Sequence, residues 1–298
     1  MNNTSLHGII PAVITPMSSD GTIDTAMAER QIEYLAAAGA NGLFINGTTG
    51  EGAYLTPPER RDMLKLARSV AGDRLFICGA VLRPNLTEVL DEIGELKRNG
   101  ADYAVAVPPF YYPVDQSVVE DHFRRIAEAS PLPLILYNIP GCTGNRLELA
   151  TVRALKTHPN VTGVKDSSGD LAAFSRGLLA DEEDGFVWIQ GEDYLDAASL
   201  LIGAGGIVTG LGNVMVEPYI EMYAAAMRGD VAAVLKSQRR VNLLYEELKV
   251  AGYDVIPFIK AACELLDRGR RYMRQPGMAL NTTAYREVED ALGRIGYL

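Results

Sequence analysis

The chain has 298 residues, enough for one large domain or two ordinary ones, and its 48% hydrophobic and 22% charged residues are the composition of a globular protein with ample core material. A net charge of −10 argues against a nucleic-acid footprint and an anionic membrane surface, yet leaves room for an acidic substrate in a locally positive pocket. Cys78, Cys142 and Cys263 are odd in number and far apart, so they offer neither a disulfide framework nor a CxxC metal site, and they fit a reducing compartment.

The first residues, MNNTSLHGII, lack the basic and long apolar regions of a signal peptide. Apolar runs elsewhere break well short of the ~20 residues a membrane helix needs. The expectation is a soluble, cytoplasmic protein.

From there the chain alternates. Short apolar runs occupy 8–16, 42–50, 75–82, 103–111, 133–140, 161–168, 187–193 and 205–213. They are often β-branched and bounded by Gly, Pro or polar residues, as strands buried on both faces are. Amphipathic helical patterns lie between them, for example at 25–39, 57–72, 87–100 and 117–130. Gly39, Gly72 and Gly100 stand where left-handed C-caps would end three of these. Eight strand–helix units require parallel strands with crossover helices, and eight units close a barrel. An open doubly wound sheet would call for a glycine-rich dinucleotide fingerprint after the first strand, and the chain has ITPMSSDG there. The expected fold is therefore α/β, a (β/α)8 TIM barrel with a C-terminal helical extension. Residues 1–228 would form the catalytic barrel, with its last helix at 217–228, and 229–298 a helical region with helices at 230–251, 256–268 and 284–295.

In such a barrel the active site lies at the C-terminal strand ends. These carry Gly47-Thr48-Thr49-Gly50-Glu51, Phe110-Tyr111-Tyr112, Tyr137-Asn138, Lys165-Asp166, Gly191-Glu192-Asp193 and Thr209-Gly210. Lys165 reads either as a strand-end lysine reaching solvent or Asp166, or as an amine in the barrel mouth. Burial there disfavours the charged form, and a neutral amine can attack a ketone to form an imine. Tyr137, one strand earlier at similar depth, is either a core tyrosine with a satisfied hydroxyl or a proton shuttle for that imine. The turn at 47–51 can cap its own amides or offer amides and hydroxyls to a carboxylate, and Glu51 reads as a tie for the loop. His7, His122 and His158 give metal or Ser–His–Asp chemistry little support, because the latter two lie on or just after helices and are expected to face solvent. Neither a metal nor a cofactor is expected.

GTTGE (47–51), YNIP (137–140) with TG (143–144), GVKDSSGD (163–170) and the DGTID turn (20–24) together resemble the dihydrodipicolinate synthase / N-acetylneuraminate lyase family of pyruvate-dependent class I lyases. The resemblance covers essentially the whole chain. It implies that Lys165 forms the Schiff base with pyruvate or another 2-oxo acid, that Tyr137 shuttles protons, and that Thr48 and Thr49 bind the pyruvyl carboxylate. It also implies that Tyr111 reaches a neighbouring subunit to complete a Tyr–Thr–Tyr relay through Thr49, that Gly191 and Val208 line the pocket, and that the protein is a homotetramer, a dimer of dimers.

One position departs from the synthases: where they place an arginine for the aldehyde's distal carboxylate, this chain has Cys142, expected to be a small neutral wall. Losing charge-assisted bonds of about 1.5–3 kcal/mol each argues against efficient synthesis of the lysine precursor. Arg83 and Arg146 are alternative cations, each read rather as a solvated loop residue. GAVLRPN (79–85) departs from the synthase pattern too. The resulting expectation is a lyase acting on a 2-keto-3-deoxy sugar acid or related 4-hydroxy-2-oxo acid. Close alternatives are a dihydrodipicolinate synthase, a keto-deoxy sugar acid dehydratase and, through GEDY (191–194), an N-acetylneuraminate lyase. A non-catalytic binding barrel is the alternative of a different class.

Overall fold

The computed structural model describes residues 6–179 and 185–298. Its eight strands are β1 (Gly8–Pro11), β2 (Gly42–Ile45), β3 (Phe76–Val81), β4 (Tyr103–Ala106), β5 (Leu134–Asn138), β6 (Val161–Asp166), β7 (Val187–Gln190) and β8 (Gly206–Thr209). All are parallel, in the order β1-β8-β7-β6-β5-β4-β3-β2. The remaining seam closes just past β1, where Ala12 bridges Phe44 and the Val13 amide donates to the Phe44 carbonyl at 3.0 Å. A TIM barrel results.

Alternation along each strand separates two cores. Ile10, Phe44, Ile135, Tyr137, Ile189 and Val208 point into the barrel, while their neighbours Ile9, Leu43, Leu134, Leu136, Trp188 and Ile207 pack under the helices. This double burial explains why the strands read as continuous apolar runs. It also explains why the runs overshoot: residues after each ladder, such as Val13 and Ile14, stay buried while leaving the sheet.

The helices are α1 (Thr25–Ala38), α2 (Pro57–Ala71), α3 (Leu86–Arg98), α4 (Gln116–Ala129), α5 (Pro140–Thr143), α6 (Leu149–Leu155), α7 (Leu171–Leu178), α8 (Asp196–Leu201), α9 (Glu217–Met227), α10 (Val231–Leu248), α11 (Val255–Leu265) and α12 (Thr282–Arg294). Gly39 caps α1 in the left-handed conformation, and Gly72 ends α2 with positive φ but extended ψ. After α3 the cap is Asn99, and Gly100 takes its positive φ one residue later. The helix starts are equally local. Asp24 accepts from the Met27 amide, and Thr56 with Glu59 forms a reciprocal capping box ahead of Pro57 and Pro58.

His122 departs from expectation. It is 7% exposed on α4, hydrogen-bonded to the Val107 backbone, and burial pulls its pKa down to about 4. The helix face that carries it packs on the sheet, so a surface assignment fails, although the residue still lies outside the barrel interior. No helix among the described residues is long and apolar enough to cross a membrane.

The C-terminal helices do more than extend the barrel. α11 is buried from Ile256 to Cys263, and its wholly buried Lys260 reaches Glu51 at 2.5 Å. The Arg274 amide donates to the other Glu51 oxygen at 2.8 Å.

Candidate active site

Lys165 and Tyr137 are direct ladder partners on β6 and β5, both facing the barrel interior at its C-terminal mouth. Lys165 is 5% exposed, and its Nζ lies 4.0 Å from the centre of the Tyr137 ring and 4.3 Å from that of Phe44. The two rings meet edge-to-face with centres 5.8 Å apart. The amine is thus held against two aromatic faces, which favour a cation electrostatically while excluding water. Among the described residues it makes no ion pair. Asp166 is turned the other way, accepting from the Asn138 amide at 2.8 Å and from the Ser168 backbone and hydroxyl at 2.9 and 2.6 Å. A lysine extended to solvent or to Asp166 is therefore not what the chain builds.

Phe44 was not singled out in the sequence. It hides within the apolar run GLFI, and only its inward parity on β2 could have marked it. Gly191 stands beside the amine: a Cβ there would lie 2.3 Å from Ser167 Oγ and 3.0 Å from Lys165 Cε, so a side chain would push Ser167 aside and crowd the lysine. Val208 belongs to the same inner cluster.

The 47–51 turn follows from close packing. A Cβ on Gly50 would meet the Val13 carbonyl at 2.7 Å, while Thr15 Oγ1 donates to the Gly50 carbonyl at 2.7 Å. Gly47 passes against the Phe44 ring in the same way. Glu51 adopts φ 56°, a left-handed conformation that costs a non-glycine residue about 1–2 kcal/mol, and the Lys260 and Arg274 contacts hold it there. This leaves Thr48 and Thr49 half-buried at the mouth, Thr49 facing Gly210 at the end of β8.

Thr48 and Cys142 both line a cavity of about 350 Å3 that opens from this mouth. Burial, and then the charge of Asp254, push the Cys142 thiol up, which works against a reactive thiolate there.

Tyr111 is not brought to Lys165 of its own chain. It is 83% exposed, packed edge-to-face on Tyr112 with ring centres 4.9 Å apart, and it holds φ 83°, an outlier for a bulky residue. Arg83 is not a solvated loop residue either. It pairs with Glu92 at 3.3 Å, beside Arg60, which pairs with the same carboxylate at 2.7 Å. That cluster lies in a different cavity, behind the 47–51 turn between α2 and α3. Arg146 is exposed near α6, in a third cavity.

Asp193 of the GEDY segment turns into the barrel wall, accepting from Thr209 Oγ1 at 2.7 Å and from the Tyr219 hydroxyl at 2.6 Å. Burial raises its pKa to about 6. It is spent inside the fold rather than presented to a sugar. Among the described residues, no group of three or more His, Cys, Asp or Glu is placed to hold a metal ion.

The family model for the dihydrodipicolinate synthetase family matches residues 5–295. The 4-hydroxy-tetrahydrodipicolinate synthase of Bifidobacterium longum is 31% identical over 293 residues, 97% of this chain and 95% of that protein. The solved dihydrodipicolinate synthase of Bacteroides thetaiotaomicron superimposes with a TM-score of 0.92 at 30% identity, covering 97% of this chain and 98% of that one. YagE of Escherichia coli K12, a prophage protein of the dihydrodipicolinic acid synthase family solved in complex with pyruvate, gives 0.90 at 25% identity over 98% and 99%. The chain belongs to the dihydrodipicolinate synthetase family, and it is a pyruvate-dependent class I lyase.

Proposed function

We propose that the protein cleaves or forms a 4-hydroxy-2-oxo acid, the class that includes the 2-keto-3-deoxy sugar acids, through an imine on Lys165. The carrying observation is the buried Lys165 amine, held at the mouth against Tyr137 and Phe44. In the cleavage direction the amine adds to the C2 ketone and the carbinolamine hydroxyl leaves as water with a proton from Tyr137, giving a protonated imine beside the Tyr137 phenolate. Tyr137 accepts the C4 hydroxyl proton as the C3–C4 bond breaks, and the bonding electrons enter the imine to give an enamine and a free aldehyde. Proton return to C3 and addition of water then release pyruvate and restore the amine. Thr48, Thr49 and the Gly47 turn hold the substrate carboxylate. Condensation is the same path reversed, with no change of oxidation state.

Tyr111 serves a neighbouring copy of the chain in this reading. Its exposure and its strained backbone support a side chain committed to a contact outside its own subunit, as a homotetramer would supply.

Borohydride reduction in the presence of pyruvate, followed by mass spectrometry, tests the proposal. A reduced pyruvyl adduct on Lys165, absent from Lys165→Ala, is the expected result. Without it the chain would be a binding barrel. Vigorous condensation with aspartate semialdehyde would instead make it a synthase and overturn the significance given to Cys142.

A further inference from the structure

The cavity beyond Lys165 has a chemical character of its own. Its wall is made by Leu82 after β3, Val107 and Phe110 after β4, Ile139 after β5, and Met273 and Met278 from the C-terminal region. Leu82, Val107, Phe110 and Ile139 also pack on the inner cluster that holds Tyr137 and Phe44, so this wall continues directly from the site of the imine. Its volume of about 350 Å3 lies within the range of small-molecule sites.

Its polar inventory is short: Thr48, already assigned to the carboxylate, the exposed Tyr54 at the edge, Thr143 and two acids. Thr143 Oγ1 lies 2.6 Å from the Asn145 carbonyl and 3.0 Å from the Ile139 carbonyl, so its one proton is taken within its own turn. The Glu51 carboxylate is taken by Lys260 and the Arg274 amide. Among the described residues, two charged side chains line the cavity, Glu51 and Asp254, and both are acidic. Asp254 caps α11 through the Val255 amide at 2.7 Å and stands at the rim, close enough to be felt at Cys142. Among the described residues no arginine or lysine lines it; Arg83, next to Leu82, is bound to Glu92 in the other cavity, and Arg274, next to Met273, is paired with Glu59.

From this we infer that the aldehyde half of the substrate carries an uncharged, predominantly apolar tail, aromatic or branched aliphatic, packed between the β3–β5 loops and the two methionines. The assignment rests on the imine reading above and narrows it. A carboxylate tail would meet Asp254 with no cation to offset it, and a polyhydroxylated tail would bury several hydroxyls against Leu82, Phe110 and Met273 with Tyr54 as the one side-chain hydroxyl left to meet them. An apolar tail loses only its contact with water, and the methionines adapt to its shape. Condensation gives a balanced reaction: the pyruvate enamine on Lys165 attacks the aldehyde carbon, the new C–C bond forms, the oxygen takes the Tyr137 proton, and water frees the 4-hydroxy-2-oxo acid.

The test measures kcat/KM for condensation of pyruvate with benzaldehyde, 3-methylbutanal, D-glyceraldehyde and succinate semialdehyde, after borohydride trapping on Lys165 has been scored separately. The expected result is a preference of about 10-fold or more for the first two, as one or two well-filled apolar groups supply. Cys142→Arg, at an exposed position, should shift the succinate semialdehyde to benzaldehyde ratio by about 10-fold or more toward the acid. Trapping together with a wild-type preference for glyceraldehyde or succinate semialdehyde would overturn the apolar assignment alone. A ratio unmoved by Cys142→Arg would overturn the placement of the tail beside Cys142. Absence of trapping would remove the imine reading and this assignment with it.

Discussion

The end of the mouth proposed to hold the imine is centred on strand residues. Lys165 and Tyr137 are ladder partners, and Phe44 shares in the bridge that closes the barrel. The distal end is assembled from loops after β3, β4 and β5 and from the C-terminal region, with one wall supplied by residues more than 200 positions away in the chain from Thr48. A backbone hydrogen-bonded on both sides fixes side-chain positions to the tolerance an imine needs, whereas loop residues can be exchanged without disturbing the ladder. On the proposed reading the rigid part carries the chemistry and the replaceable part the selectivity, and each half should respond to mutation in its own way.

The largest effect should come from the rigid half. Lys165→Ala is expected to remove both borohydride trapping and measurable turnover. Tyr137→Phe keeps the ring against the amine and removes only the hydroxyl. It should lower kcat by about 10²–10⁴-fold while trapping with pyruvate persists. Single-turnover assays beside the trapping experiment separate the two variants, and equal loss of trapping in both would make Tyr137 a packing residue.

Next in size is the tie between the halves. Lys260 and Glu51 are both buried, so Lys260→Met leaves an uncompensated carboxylate and should cost about 3–5 kcal/mol of stability. Glu51→Gln combined with Lys260→Met should recover most of that loss in denaturant titrations. The recovered double variant should still show a raised KM for pyruvate, because Thr48 and Thr49 ride on the turn that Glu51 anchors. An unchanged KM would confine the pair to folding.

How much of this was legible in the sequence follows from distance along the chain. Lys165, Tyr137 and the 47–51 turn stand at the ends of apolar runs, so the barrel rule finds them from local pattern alone. Strand ends were blurred because burial continues past the ladder, as at Val13 and Ile14. Phe44 was invisible because an inward phenylalanine in an apolar run looks like any core residue until register is known. Lys260–Glu51 joins residues 209 apart, and no local pattern encodes such a pair. Arg83 looked like a loop cation for the same reason, since its partner Glu92 lies on the next helix and Arg60 on the one before. The inward turn of Asp193 required the side chains of Thr209 and Tyr219 to be placed.

The smallest predicted effect concerns the layer behind the distal wall. His122 is hydrogen-bonded to the backbone of Val107, whose side chain lines the cavity, and its Nε2 has no partner among the described residues. With its pKa near 4 in the fold and about 6.5 in the unfolded chain, the unfolded state binds more protons throughout that window. Its contribution is therefore complete above about pH 6.5 and is lost as pH falls toward 4, at up to about 1.4 kcal/mol per pH unit. His122→Asn retains a donor for Val107 but cannot titrate. Any cavity it creates shifts stability by an amount independent of pH. The difference between wild-type and variant denaturation free energies should accordingly be flat above pH 6.5 and swing in the variant's favour below it. A difference that stays constant down to pH 4 would mean that His122 is solvated in the fold, and the wall behind Val107 would then be softer than the barrel it leans on.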